Sequence, residues 1–146
     1  NISAAIGLDP TGADFYVRGE CQFALGMRPE AGADFATAAR MSPSTPLYTN
    51  RHYLFLIAAG EPEPVRDRMR LGDRLGLENM AAGWVVAAAA LYLQDVQTDQ
   101  AAEMLARASA SLTKKDFASL LADPVFDPYR HTPLLANYLA QTAPPP

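Results

Sequence analysis

Residues 15–43, FYVRGECQFALGMRPEAGADFATAARMSP, decide how the rest of the chain is parsed. Within this stretch Phe15, Arg18-Gly19, Gly26, Ala31, Phe35, Ala38 and Pro43 fall at intervals that suit two antiparallel helices. Small residues stand where such helices must come close. Gly26 stands where the first must stop, because glycine takes a left-handed backbone that other residues resist. The spacing predicts one helix over about residues 13–25 and a second running to about Met41. Pro29 opens the second, since its missing N–H has no helical partner in a first turn. Ser42-Pro43 closes it. Gly19 and Ala31 are the expected close-approach pair, with Phe35 as the knob between the helices.

The same pattern recurs downstream. Gly60 lies 34 residues beyond Gly26 and ends a helix expected over about residues 47–59. Pro62 and Pro64 then open a helix carrying Val65, Met69 and Gly72 where the first unit has Ala31, Phe35 and Ala38. Tyr53 occupies the place of Gly19, so its ring either pushes this second pair apart or points elsewhere. The third unit slips by two residues. Its first helix, about residues 81–94, reads AAGWVVAAAALYLQ, apolar nearly all round, as a helix buried between neighbours should be. Its second carries Ala101, Leu105 and Ala108, the same four-then-three spacing found in the first two units. None of the twelve prolines falls within an expected helix beyond its first turn.

This order and spacing resemble the tetratricopeptide repeat, a unit of about 34 residues that stacks into a superhelix. The resemblance covers about residues 15–111. It implies an all-α fold of three stacked antiparallel helix pairs, an α-solenoid with repeats at about 12–45, 46–79 and 82–113. Residues 114–142 then form a capping tail, because stacked repeats leave an apolar end face to be closed. In that tail a short amphipathic helix at 114–122 presents Phe117, Leu120 and Leu121, and two Asp-Pro turns lead to a last helix near 133–141. Phe117, Leu120, Leu121 and Phe126 are expected to cover the last repeat. Residues 143–146 are expected to be disordered. At the other end, residues 1–10 place Ile2, Ala5 and Pro10 like the end of a repeat's second helix, which makes the chain a piece of a longer protein. An ordinary N-terminal helical turn is the alternative.

Composition bounds the function. With 146 residues, 49% of them apolar, the chain suits one globular domain with a sizeable core. A net charge of −4 argues against nucleic acid, which needs a basic stripe to neutralise phosphates. Arg66, Arg68, Arg70 and Arg74 do cluster, but Glu61, Glu63, Asp67 and Asp73 surround them, as on a solvated helix face. The longest apolar run, residues 80–93, is shorter than the roughly 20 residues of a membrane span, so no membrane insertion is expected, and no secretory signal is visible. Cys21 is the only cysteine, so no intrachain disulfide forms.

The residues that carry chemistry are sparse. Cys21, His52 and His131 are far apart in sequence and no orienting motif accompanies them, so Cys21 reads as a small buried hydrophobe rather than a nucleophile. Two isolated histidines show no metal-ligand spacing, and Gly72 and Gly76 stand in no phosphate-cradling loop. Asp123 and Asp127 each precede proline and suit turn caps better than an acid–base pair. No enzyme activity, metal or cofactor is expected.

What remains is surface. The resemblance implies that the first helix of each pair lines a concave groove, with Tyr16, Glu20 and Phe23, then Asn50, Arg51 and Leu54, then Val86, Ala90 and Leu93 facing inward. Core packing is the alternative for the apolar members, and the better one for Leu93. Asn50 can pair with a peptide backbone and Arg51 can fork onto a carboxylate. Groove-lining Lys, Asn and Arg residues clamp a peptide's terminal carboxylate in some members of the family, and only Asn50 and Arg51 match that here. The implied function is a protein- or peptide-binding scaffold within a larger protein or complex. The rival is a sensory or regulatory module of a transcription regulator or signalling enzyme. An unrecognised enzyme would need a deep polar pocket around Cys21 or a histidine. The chain's own tail, through the apolar residues 133–141, is a further candidate to fill the groove.

Overall fold

Three backbone turns of one kind set the architecture of the computed structural model, which describes residues 11–76 and 82–142. At each turn a residue with positive φ ends a helix: Gly26 at 79°, Gly60 at 80° and Val96 at 58°. Around Gly26, its N–H donates to the Phe23 carbonyl and the Met27 N–H donates to the Gln22 carbonyl at 2.8 Å. Gly60 and Glu61 repeat this bonding onto Ile57 and Leu56, and Val96 and Gln97 repeat it onto Leu93 and Tyr92. This is the Schellman arrangement, in which the left-handed residue lets two orphan carbonyls find donors. Val96 fills without glycine's freedom the place glycine fills twice.

The helices flank these turns. They are α1 (Gly12–Ala24) and α2 (Arg28–Met41), then α3 (Pro46–Ala58) and α4 (Glu63–Leu75). A 3₁₀ turn (Ala82–Trp84) leads into α5 (Val85–Gln94), followed by α6 (Thr98–Ser111). After them come α7 (Lys114–Leu121), a second 3₁₀ segment (Pro124–Tyr129) and α8 (Pro133–Thr142). Among the described residues the regular structure is all helical, and neighbouring helices pack on one another. Six of these helices begin where the sequence supplies a local start. Thr11 and Asp14 form a reciprocal capping box on α1, and Thr113 caps α7. Pro29, Pro46, Pro64 and Pro133 sit in first turns. The expectations for residues 1–10 and 143–146 lie outside the described residues.

The first pair closes tightly. Gly19 is buried, and a Cβ added there would stand 2.8 Å from the Phe35 ring and 3.3 Å from the Asp34 Cβ. The closest approach to Gly19 therefore comes from Phe35 and Asp34, and Phe35 is fully buried as the expected knob between the helices. Ala31 is itself fully buried. Beside this contact the Arg18 guanidinium forks onto Asp34, with Nε at 2.6 Å and a terminal nitrogen at 2.8 Å.

The second pair does not close in this way. Among the described residues, α3 packs closely on α2, α5 and α7, whereas its backbone makes no extended close approach to its own partner α4. Tyr53, at the position of Gly19, keeps a ring between them; its hydroxyl accepts from Arg68 Nε on α4 at 3.4 Å. The third pair is tight again, with Ala89 in place of the tyrosine. Residues 85–91 and 93 of α5 are buried, and this helix sits in a core that runs from Leu54 through α6 to Phe117, Leu121, Phe126 and Leu135.

Candidate functional site

α3 carries two polar side chains into the interior, side by side. Asn50 is fully buried, and all four of its hydrogen-bonding positions are filled. Its amide nitrogen donates to the Pro46 carbonyl at 2.9 Å and the Ala82 carbonyl at 3.0 Å. Its oxygen accepts from the Val86 and Ala87 N–H groups at 3.0 and 3.3 Å. Those two amides are orphan donors at the start of α5, where Trp84 offers no side-chain cap. Asn50 thus caps a helix 36 residues further along the chain.

Arg51 is 5% exposed and lies between two rings, its guanidinium carbon 4.7 Å from the centroid of Phe23 and 4.8 Å from that of Phe35. Its Nε donates to Glu20 at 2.8 Å, and a terminal nitrogen pairs with the carboxylate of Asp123, 4% exposed. Flat aromatic faces suit a guanidinium that has left water, and two carboxylates balance it. Asp123 comes from the C-terminal segment. Its other oxygen accepts from the Val125 N–H at 2.9 Å and caps the 3₁₀ segment, the role its place before proline implied. Arg130 secures the same bend by donating to the Leu121 carbonyl at 2.7 Å and the Asp123 carbonyl at 3.0 Å.

The segment that supplies Asp123 covers the expected groove face. α7 packs on α3, and the 3₁₀ segment packs on both α3 and α5. Leu120, Leu121 and Phe126 are fully buried. On α1, the half-buried Tyr16 stacks on Tyr48 at 4.9 Å and faces Ser119 of α7 and Glu20. Burial first, and then the Glu20 carboxylate, raises the Tyr16 hydroxyl well above its ordinary value, so it stays a neutral phenol. α8 packs on α7, through contacts such as Phe117 against Tyr138 at 5.6 Å. The segment on the face is therefore residues 117–129, rather than the 133–141 helix that the sequence offered for the groove.

The residues read from the sequence fall into two groups. Tyr16, Glu20, Phe23 and Arg51 come together with Asp123 around one ion cluster. Asn50, Leu54, Val86, Ala90 and Leu93 are buried and help hold α3 and α5 together. Asp123 and Phe126 are the partners on the far side of this contact. Asp123 had been read as a turn cap, and nothing in the sequence showed that its carboxylate also meets an arginine 72 residues earlier. Cys21, expected to be buried, is exposed, because its position on α1 faces away from α2 and α3. His131 is exposed too. Among the described residues no group of His, Cys, Asp or Glu side chains is placed to hold a metal ion, and no helix is long and apolar enough to cross a membrane. Comparison with protein-family models, curated proteins and solved structures finds no match to this chain.

Proposed function

We propose that the chain is a peptide-binding helical-repeat domain, of the kind its tetratricopeptide-like spacing implies, whose binding face is held by its own C-terminal segment. The observation that supports this reading most is the seating of residues 120–126, LLADPVF, on the face of α3 and α5, with Ser119 just before it beside Tyr16 of α1. Two leucines, a carboxylate and an aromatic ring are buried together, the carboxylate on a pre-ordered guanidinium. The segment is an internal ligand, and its chemistry describes the external one. A partner peptide would bring a short apolar pair, an acidic side chain two or three residues on, and an aromatic residue after a bend. Such a peptide would compete with the tail rather than enter an open groove. The rival regulatory-module reading needs a second domain to act on, and no residue described here favours it over binding.

The test uses the full chain. Asp123→Ala removes the carboxylate that seats the tail on Arg51. A fluorescent peptide of residues 117–132, offered in trans, should then bind the variant saturably while the unaltered chain leaves it free. The same peptide carrying Asp123→Ala should bind at least tenfold more weakly, about 1.4 kcal/mol. A variant that keeps its helical circular dichroism and ignores the peptide contradicts the proposal.

A further inference from the structure

The opening between α3 and α4 leaves a cleft of about 310 Å³, walled by α2, α3 and α4. Its lining brings Arg40 from α2, Thr49, His52 and Tyr53 from α3, and Arg68 from α4 to one place, over the small side chain of Ala39. No carboxylate is among its lining residues. Elsewhere in the chain Arg18, Arg51, Arg66, Arg70 and Arg130 are each paired with an Asp or Glu. Among the described residues neither Arg40 nor Arg68 has an acidic partner, and Arg68 has only the weak 3.4 Å contact to the Tyr53 hydroxyl. His52 Nδ1 is shielded from solvent and has no hydrogen-bond partner. Burial lowers the His52 pKa below 6.5, so at neutral pH the ring keeps one N–H to offer. A larger cleft, about 390 Å³, lies between α4 and α5, and it shows what a compensated site looks like. Its Arg66 pairs with Asp95, a residue of the same lining, and its Arg70 pairs with Glu63 and Asp67.

We infer that the cleft between α2, α3 and α4 binds a phosphate monoester, with Arg40 and Arg68 closing on the phosphate from opposite helices. The donor set is what selects phosphate. The Thr49 hydroxyl already donates to the Pro46 carbonyl at 3.4 Å. Two guanidiniums, the Tyr53 hydroxyl and an imidazole offer more donors than a carboxylate's two oxygens can use, whereas a phosphate presents three acceptor oxygens and nearly two charges. Guanidiniums match those oxygens in pairs. The volume sits at the lower end of small-molecule sites, which run from about 300 Å³ upward. It holds the phosphate and a small organic remainder. Because the walls belong to α3 and α4, a bound phosphate draws together the pair that Tyr53 keeps apart. This site is separate from the face occupied by the tail and does not depend on that reading.

The experiment titrates the full chain, at low ionic strength, with inorganic phosphate, phenyl phosphate and acetate, following backbone amide shifts by NMR. Phosphate and phenyl phosphate should move the amides of Arg40, Thr49, Tyr53 and Arg68 saturably, with phenyl phosphate the tighter of the two. Acetate should leave them in place. Arg40→Gln and Arg68→Gln, both at exposed positions that carry no core packing, should each weaken phosphate about tenfold. Arg70→Gln, on the charge-paired cleft, should change nothing. Acetate binding as well as phosphate overturns the proposal, as does phosphate binding that is unaffected by the Arg40 and Arg68 changes. An absence of any saturable shift overturns it too.

Discussion

The first and second helix pairs begin from the same sequence plan and end in different states, and one residue separates them. Where α1 offers Gly19, the Phe35 ring and Asp34 step in and the pair seals itself, with Arg18 and Asp34 locking the edge. Where α3 offers Tyr53, the pair stays apart, and α3 is secured from outside by α2, α5 and α7. Its polar residues follow that division. Asn50 reaches to the start of α5 and Arg51 to the C-terminal segment, whereas the equivalent polar bond in the first pair stays inside the pair. A hairpin that does not close upon itself is left to be closed by something else, and here that role creates both the seat for the tail and the cleft beside α4.

The largest effect expected from this contrast falls on the outside partner. Arg51→Ala leaves Asp123 buried without its cation, which costs about 3–5 kcal/mol when one member of a buried ion pair is removed. Chemical denaturation should show that loss, and a loss below about 1 kcal/mol would mean that α3 is not secured by the tail. The next effect compares equivalent positions directly. Gly19→Leu should destabilise by about 1–3 kcal/mol, because the new side chain meets the Phe35 ring in a contact with no room. Tyr53→Leu should stay within about 0.5 kcal/mol, since that pair is already open. Equal melting shifts for the two would erase the distinction between the pairs.

A smaller effect, of opposite sign, lies in the third pair. Val96 holds φ at 58° while 84% exposed, so it bears left-handed strain without contributing core packing. Val96→Gly should raise stability by about 1 kcal/mol, the order of the left-handed penalty for a residue with a Cβ. An unchanged or lower melting temperature would show that the three turns are not equivalent.

Much of this architecture was legible because it is local. Helix starts announced themselves through Pro29 and Pro64, and two of the three turns through Gly26 and Gly60. The third was hidden because valine stands where the pattern calls for glycine, and because two extra residues fall between Gly60 and Ala82. Tyr53 marked the second pair as different before its geometry was known. The site was less legible. Tyr16, Glu20, Phe23 and Arg51 were placed on one face by the repeat resemblance, but a resemblance cannot say what covers a face. Asp123 is far from Arg51 in sequence and announced only its local role as a turn cap. Asn50 looked like a group for a peptide backbone, and it does bind backbone, that of α5. Cys21 was misjudged because small apolar residues are common in helix contacts, and nothing in α1's sequence marks which side is left open.

That open side makes the central claim directly testable. Cys21 is the chain's only cysteine, is exposed, and adjoins Glu20 in the Arg51 cluster. A nitroxide attached there should strongly broaden the amide resonances of residues 119–126, with Asp123→Ala relieving that broadening while helicity is retained. Sharp resonances for 119–126 in the labelled, folded, unaltered chain would place the tail away from the face of α1, α3 and α5 and contradict the account.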